Sequence, residues 1–207
     1  MDVLLFIVMI VLGLIGSFFS GLLGIGGAII NYPLLLYVPS LFKVAHFSAH
    51  EVSSISMFQV FFASLAGVVA FRKKSKTNSL VVHKGLVLYM GSSILAGSLI
   101  GGFASGRLNA DVINLIYGIL AVLAVILMLL PQRGTDERHS DELRFNKRIA
   151  IGSAFIIGIV SGIVGAGGAF ILIPIMLTIL KIPTRTTIAS SLAIVFISAI
   201  GGVLGKS

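Results

Sequence analysis

The stretch Gly21-Leu22-Leu23-Gly24-Ile25-Gly26-Gly27-Ala28-Ile29-Ile30-Asn31-Tyr32-Pro33 occurs twice in this chain. Its second copy is Gly162-Ile163-Val164-Gly165-Ala166-Gly167-Gly168-Ala169-Phe170-Ile171-Leu172-Ile173-Pro174. Four glycines and a proline return at the same offsets, and Ser20 or Ser161 precedes each copy. Glycine adopts backbone conformations closed to other residues, so clustered glycines inside an apolar run predict a helix that breaks. In hydrocarbon such a break leaves N–H groups unpaired, which is tolerable only beside protein, water or a ligand. The half-helix restarting at Ala28 or Ala169 would present its first N–H groups and its positive dipole end to the gap, which suits an anion. Tight helix crossing is the competing reason for glycine at these positions.

Other polar residues inside apolar runs extend the candidate set. Asn31 lies one helical turn beyond the first break, where the second copy has Leu172. Ser53, Ser54, Ser56 and Gln59 enter the next span, and Ser190 and Ser191 enter its counterpart. Serines often bond their own helix or a neighbour, but the matched Ser-Ser pairs favour a lining role. The candidate substrate-binding residues are therefore Gly24, Gly26, Gly27, Asn31, Pro33, Ser53, Ser54 and Gln59, with Gly165, Gly167, Gly168, Pro174, Ser190 and Ser191. His46, His50 and Glu51 cluster before the span and read as an interfacial loop rather than a metal site. No Asp or Glu lies deep in an apolar run; Glu51 and Asp111 sit at edges. There is no H-E-x-x-H pair, nucleophile elbow or pair of intramembrane carboxylates, so no catalytic residue, metal or cofactor is expected.

Composition sets the elements that position these residues. The chain is 57% apolar and 11% charged, with a mean hydropathy of +1.11. Apolar runs near residues 3–23, 52–71, 84–105, 112–130, 149–165 and from 187 onward approach or reach the roughly 20 residues a bilayer crossing needs. Residues 28–38 make a shorter piece that cannot cross alone, so each glycine break belongs to a broken or re-entrant helix. The absence of cysteine excludes disulfides and thiolate metal sites. The net charge of +8 sits in loops, which argues for membrane topology and against nucleic acid. Gly97/Gly101 and Gly102/Gly106 are spaced for close helix contact.

The expected fold is an all-α polytopic membrane helix bundle of two homologous repeats with helices broken at the glycine motifs. Residues 1–131 form the first repeat, 132–148 a cytoplasmic linker, and 149–207 a second repeat. Against the first repeat, the second lacks roughly 60 residues, so internal symmetry predicts a truncated copy. Whether the repeats are parallel or inverted depends on whether each broken segment crosses once or doubles back. Homo-oligomerisation is left open by the sequence.

The paired G-x-x-G-x-G-G-x-x-x-x-x-P element resembles that of the TauE/SafE family of membrane permeases, the sulfite exporter-like proteins. Gly24, Gly26, Gly27 and Pro33, with Gly165, Gly167, Gly168 and Pro174, match it. The resemblance implies a multi-pass protein of the plasma (inner) membrane that moves sulfite, sulfonates or related small organic anions. A non-transporting membrane subunit or assembly factor is the alternative, with a membrane-embedded enzyme behind it.

Segments 72–84 and 131–148 each carry five Lys/Arg and should both face the cytoplasm. Cysteines placed by Ser75→Cys and Ser140→Cys are expected to react with an impermeant thiol reagent only from that face of intact cells. Labelling from opposite faces would overturn the span count between them.

Overall fold

A computed structural model describes residues 3–23, 28–75, 84–129 and 146–206. Among these the chain is wholly helical: α1 (Val3–Leu23), α2 (Ala28–Leu41), α3 (Ala49–Ser75), α4 (Lys84–Ser105), α5 (Ala110–Leu129), α6 (Lys147–Val164), α7 (Ala169–Thr178) and α8 (Thr184–Lys206). Five of them, α3, α4, α5, α6 and α8, are long and apolar enough to cross a membrane. Large apolar side chains face outward, including Phe6 and Leu14 of α1 and Leu115, Ile119, Val122 and Ile126 of α5. In water such a surface would be an aggregation site; against lipid tails it costs nothing.

Helix ends follow local chemistry. Ser48 and Glu51 form a capping box: Glu51 Oε2 accepts from the Ser48 N–H at 2.8 Å, and Ser48 Oγ accepts from the Glu51 N–H at 3.3 Å. That box starts α3 before His50, so His50 and Glu51 belong to the first turn of a helix and not to the loop expected for them. Asn146 caps α6 through its side chain, which accepts from the Arg148 N–H at 3.1 Å. The turns closing the two half-helices share a feature. Lys43, after α2, and Lys181, after α7, are the positive-φ non-glycine residues among those described, at 54° and 52°. The α2 turn is a Schellman ending, with Val44 N–H bonded to Pro39 O and Lys43 N–H to Ser40 O, both at 3.0 Å, whereas the α7 turn closes more widely, through Ile182 N–H to Met176 O at 2.9 Å.

The centre is a layer in which α4, α6 and α8 touch backbone to backbone. A Cβ on Gly97 would stand 3.1 Å from Gly158 Cα, and one on Gly158 equally 3.1 Å from Gly97 Cα. Gly102 and Gly205 make the same reciprocal contact between α4 and α8, at 2.9 and 3.0 Å. Gly101 also packs on α6, as expected, whereas Gly106 lies past the end of α4 with only Phe103 O nearby at 3.8 Å. The contacts fix directions. Ser93 Oγ donates to Ile151 O at 2.7 Å and Gly162 packs on Ser98 and Gly102, so α4 and α6 are parallel. Gly91 meets Ile197 while Gly102 meets Gly205, so α4 and α8 are parallel too. Against α8, α3 runs the other way: Met57 meets Gly202, Phe61 stacks on Phe196 at 5.4 Å, and Gly67 meets Leu192.

Because α6 and α8 are parallel, the chain between them must come back across the molecule. The reversal is visible at the glycines: Gly165 packs on Ser53, and Gly167 on Val60, two turns further along α3. Helices α1 and α2 also double back on each other, with Asn31 packed on Gly16 and Leu34 and Leu35 near Leu12 and Gly13. Units α1–α3 and α6–α8 therefore run in opposite senses. The remaining helix, α5, closes one side, where Tyr117 stacks on Tyr32 at 4.4 Å and Asn114 accepts from the Tyr32 hydroxyl at 2.9 Å.

The backbone contacts predict a sharp split among glycine substitutions. Gly158→Val should lower stability in detergent by about 2 kcal/mol or more, since overpacking against backbone finds no side chain to yield. Gly118→Ala and Gly152→Ala, which meet nothing within 4 Å, should hold or raise it by up to about 1 kcal/mol. Thermal unfolding of purified variants measures the difference.

Candidate functional site

The second glycine break is built as a tight reversal. Helix α6 ends at Val164, Gly165 is left-handed at φ 79°, Gly167 at 64°, and Gly168, also left-handed at 74°, begins α7. An L-residue at any of these would be strained, which is the local reason for glycine. Space gives a second reason. A side chain on Gly165 would run into the Ser53 carbonyl, and one on Gly167 into Val60. Gly168 is hemmed by Ile157 Cγ2 at 2.9 Å and Ser161 Oγ at 3.3 Å from where a Cβ would stand.

The polar groups of this reversal are only partly paired. Gly165 and Ala166 donate to Ser161 O at 2.8 and 3.2 Å, and Ile171 and Leu172 donate to Gly168 O at 3.2 and 2.9 Å. Gly167, Gly168, Ala169 and Phe170 have no backbone acceptor among the described residues. The buried hydroxyl of Ser161, beside Gly168, is without a hydrogen-bond partner. At the α6 end of the break, the Ile163 carbonyl accepts from Ser53 Oγ at 2.8 Å and from Lys206 Nζ at 3.3 Å. Lys206 also contacts Ser53 Oγ. Its ammonium thus sits at the negative end of the α6 dipole, the favourable place for a cation.

Other candidates fall at different places. Gly24, Gly26 and Gly27 lie outside the described residues. Asn31, 5% exposed, packs against Gly16 with its Oδ1 buried and unpartnered. It shares a cavity of about 190 Å³ with Gln59, lined otherwise by apolar residues of α1, α2 and α3. Pro33 and Pro174 sit inside α2 and α7. Pro174 is buried, and its carbonyl accepts from Thr178 Oγ1 at 2.7 Å. The serine pairs are split by helix geometry, since adjacent residues face different directions. Ser53 bonds α6, whereas Ser54 lines an outer cavity of about 350 Å³ with Phe47, His50, Glu51 and Ile55. Ser191 Oγ donates to Ile188 O at 3.1 Å, and Ser190 Oγ is buried with no partner. So the structure brings Asn31 to Gln59, and Ser53 to Gly165, but unites no larger set.

Two residues were not singled out from the sequence. Lys206 could have been, as a lone basic residue closing an apolar run rich in glycine. Ser161 carried a signal in preceding the second motif, but nothing in its type showed that its hydroxyl would be orphaned. Among the described residues no group of three or more His, Asp or Glu could hold a metal ion.

Comparison with known proteins decides the family. The profile of the sulfite exporter TauE/SafE family matches residues 9–206. The chain belongs to the TauE/SafE family. It is 25% identical to the "Probable membrane transporter protein YunE" of Bacillus subtilis, over 95% of this chain and 76% of that protein. A "Probable membrane transporter protein" of Xylella fastidiosa is 31% identical, over 87% of this chain and 65% of that protein. The "Probable membrane transporter protein MJ0441" of Methanocaldococcus jannaschii is 26% identical, over 97% of this chain and 70% of that protein. The chain thus spans about two-thirds to three-quarters of the length of these TauE/SafE relatives. No solved structure matches it. As a TauE/SafE protein it is a multi-pass member of a membrane transporter family.

The reversal predicts a graded response. Gly165→Ala meets both a positive φ and the Ser53 backbone, and should leave little folded protein. Ser53→Ala, which removes one buried hydrogen bond, should cost about 1 kcal/mol and remain folded. Yield of monodisperse protein and its thermal midpoint give the comparison.

Proposed function

We propose that this chain is a permease for small anions, with sulfite, sulfonates or related sulfur-containing organic anions as its substrate class. The single observation that carries this reading is the α7 N-terminus at the second break. There four consecutive amide N–H groups lack backbone acceptors and a buried serine hydroxyl lacks a partner. Unpaired donors at the positive end of a half-helix favour an anion, and discontinuous helices are a recurring substrate site in transporters. The names of its relatives support membrane transport, and the description of its family, the sulfite exporters, supports the substrate class.

The opposed senses of α1–α3 and α6–α8 support an inverted pair of repeats, over 1–131 and from 149, joined by the linker 132–148. In that arrangement the two hairpins approach from opposite faces of a plasma (inner) membrane whose cytoplasmic side holds loops 72–84 and 131–148. Gly24, Gly26 and Gly27 then take the role at the first break that Gly165, Gly167 and Gly168 take at the second.

Reconstitution into proteoliposomes with radiolabelled sulfite or a short alkyl sulfonate tests the proposal. Saturable uptake is expected, and its loss in Gly27→Val and Gly168→Val when flux is expressed per folded molecule. Gly97→Val, a packing change, should reduce the amount of folded protein first and flux only in proportion. No anion flux from well-folded protein would instead favour a non-transporting membrane subunit. Normal flux per folded molecule in both glycine variants would show that the breaks serve packing alone.

A further inference from the structure

Two cavities lie along helix α3, and one side chain belongs to both. The outer one, open at the head of α3, is lined by Phe47, His50, Glu51, Ser54 and Ile55. The inner one, between α1, α2 and α3, includes Asn31, Gln59, Leu34 and again Ile55. Glu51, Ile55 and Gln59 are spaced four residues apart, so they form one stripe down the helix. The stripe reads polar, apolar, polar, with the apolar residue at the boundary between the cavities.

The inner cavity has the features of a binding chamber. At about 190 Å³ it far exceeds the roughly 10–15 Å³ that a single water requires. Among the described residues its polar lining consists of two carboxamides, and none of its lining residues is charged. A buried carboxamide oxygen without a partner costs free energy, so packing alone gives no reason to keep Asn31 there. Room for it exists because position 16 is glycine: the carboxamide occupies the space that a side chain there would fill. The second copy of the motif is apolar at these places, with Ile157, Leu172 and Phe196 at the positions matching Gly16, Asn31 and Gln59. Only the first copy, then, is made polar.

Sign and size select the ligand. Asn31 lies in the first turn of α2, whose amino-terminal end carries the positive pole of its dipole. With its oxygen unpartnered, its carboxamide can turn N–H donors toward the cavity, and Gln59 supplies two more. No acidic group lines the chamber to repel an anion. Glu51, at the outer cavity, has its carboxylate engaged by the Ser48 N–H and hydroxyl.

Building on the transport reading above, we propose that this cavity is the binding chamber for a small sulfonate-class oxyanion. The Asn31 and Gln59 carboxamides hold it, and Ile55 is the partition crossed from the outer cavity at the head of α3. Neutral donors suit a permease, because an anion held by amides leaves more readily than one paired with a buried cation.

The chain has no cysteine, so a single introduced thiol reports without background. Leu34→Cys places a reporter in the chamber and Ser54→Cys one in the outer cavity. The probes are 2-sulfonatoethyl methanethiosulfonate, itself a sulfonate, and its trimethylammonioethyl analogue of opposite charge. Combining Ile55→Ala with Leu34→Cys should speed the sulfonate probe about tenfold, as expected where a side chain sets a barrier of about 1.4 kcal/mol. The rate at Ser54→Cys should not change. Ile55→Val should fall between, and it decides the matter if the alanine variant is not monodisperse. Asn31→Leu, the residue of the second copy, should erase the preference for sulfonate over ammonium at the Leu34→Cys thiol. An unchanged chamber rate in the Ile55 variants would overturn the partition, and an unchanged probe preference in Asn31→Leu would overturn the chamber. Labelling requires no flux, so gated labelling without flux would sink the transport reading and leave the chamber standing. Flux with ungated labelling would do the reverse.

Discussion

A backbone amide in hydrocarbon has no water to turn to, so a chain can reverse inside a membrane only where protein encloses the turn. The α6–α7 reversal depends on that enclosure. Ser53 and Val60 of α3 and Val195 of α8 press on Gly165 and Gly167, while Lys206 and the Ser53 hydroxyl meet the last carbonyls of α6. Each contact requires α3 and α8 to run antiparallel at close range, and α8 holds its place through its glycine contacts with α4. Remove the left-handed glycines and the reversal has no conformation; remove the close packing and it has no cover.

Much of this was legible in the sequence because membrane helices are written in long apolar runs with charged ends. The limits of α1, α4 and α7 and the break at Gly165–Gly168 follow from hydropathy and glycine spacing alone. Helix α3 starts earlier than hydropathy suggests, because the Ser48–Glu51 capping box recruits polar residues into its first turn. The sense of the broken segment was not legible. Whether it crosses or doubles back depends on which distant helix faces each glycine, and one-dimensional spacing holds no record of that. Of the candidate site, Asn31 and Gln59 were named from their polarity, but their sharing of one cavity rests on Gly16, whose role only the packing reveals. The serine pairs show the opposite limit: identical dipeptides at matching places make different bonds, because their neighbours differ.

The turns that close α2 and α7 share a backbone feature while their surroundings differ in chemistry. Both half-helices end in turns with a left-handed lysine, although Lys43 and Lys181 carry side chains that disfavour that conformation. The lysines stand ten residues after Pro33 and seven after Pro174, so the left-handed turn belongs to the end of each half-helix and not to a shared register. The first half carries Asn31 and Gln59 where the second has Leu172 and Phe196. At these two positions the first half is polar where the second is apolar.

The glycine contacts of α4 with α6 and α8 also bear on which parts can move. Helices that meet through side chains can slide as rotamers exchange, but helices meeting Cα to Cα have no such play. Gly97 against Gly158 and Gly102 against Gly205 interlock α4, α6 and α8 into a single rigid slab. Among the described residues the α1–α2 hairpin has no comparable glycine anchor on that slab and meets it through α3 and α5. Any hinge that widens the space around Asn31 must therefore swing the hairpin against a stationary wall, with Gly13 and Gly16 on the face that swings.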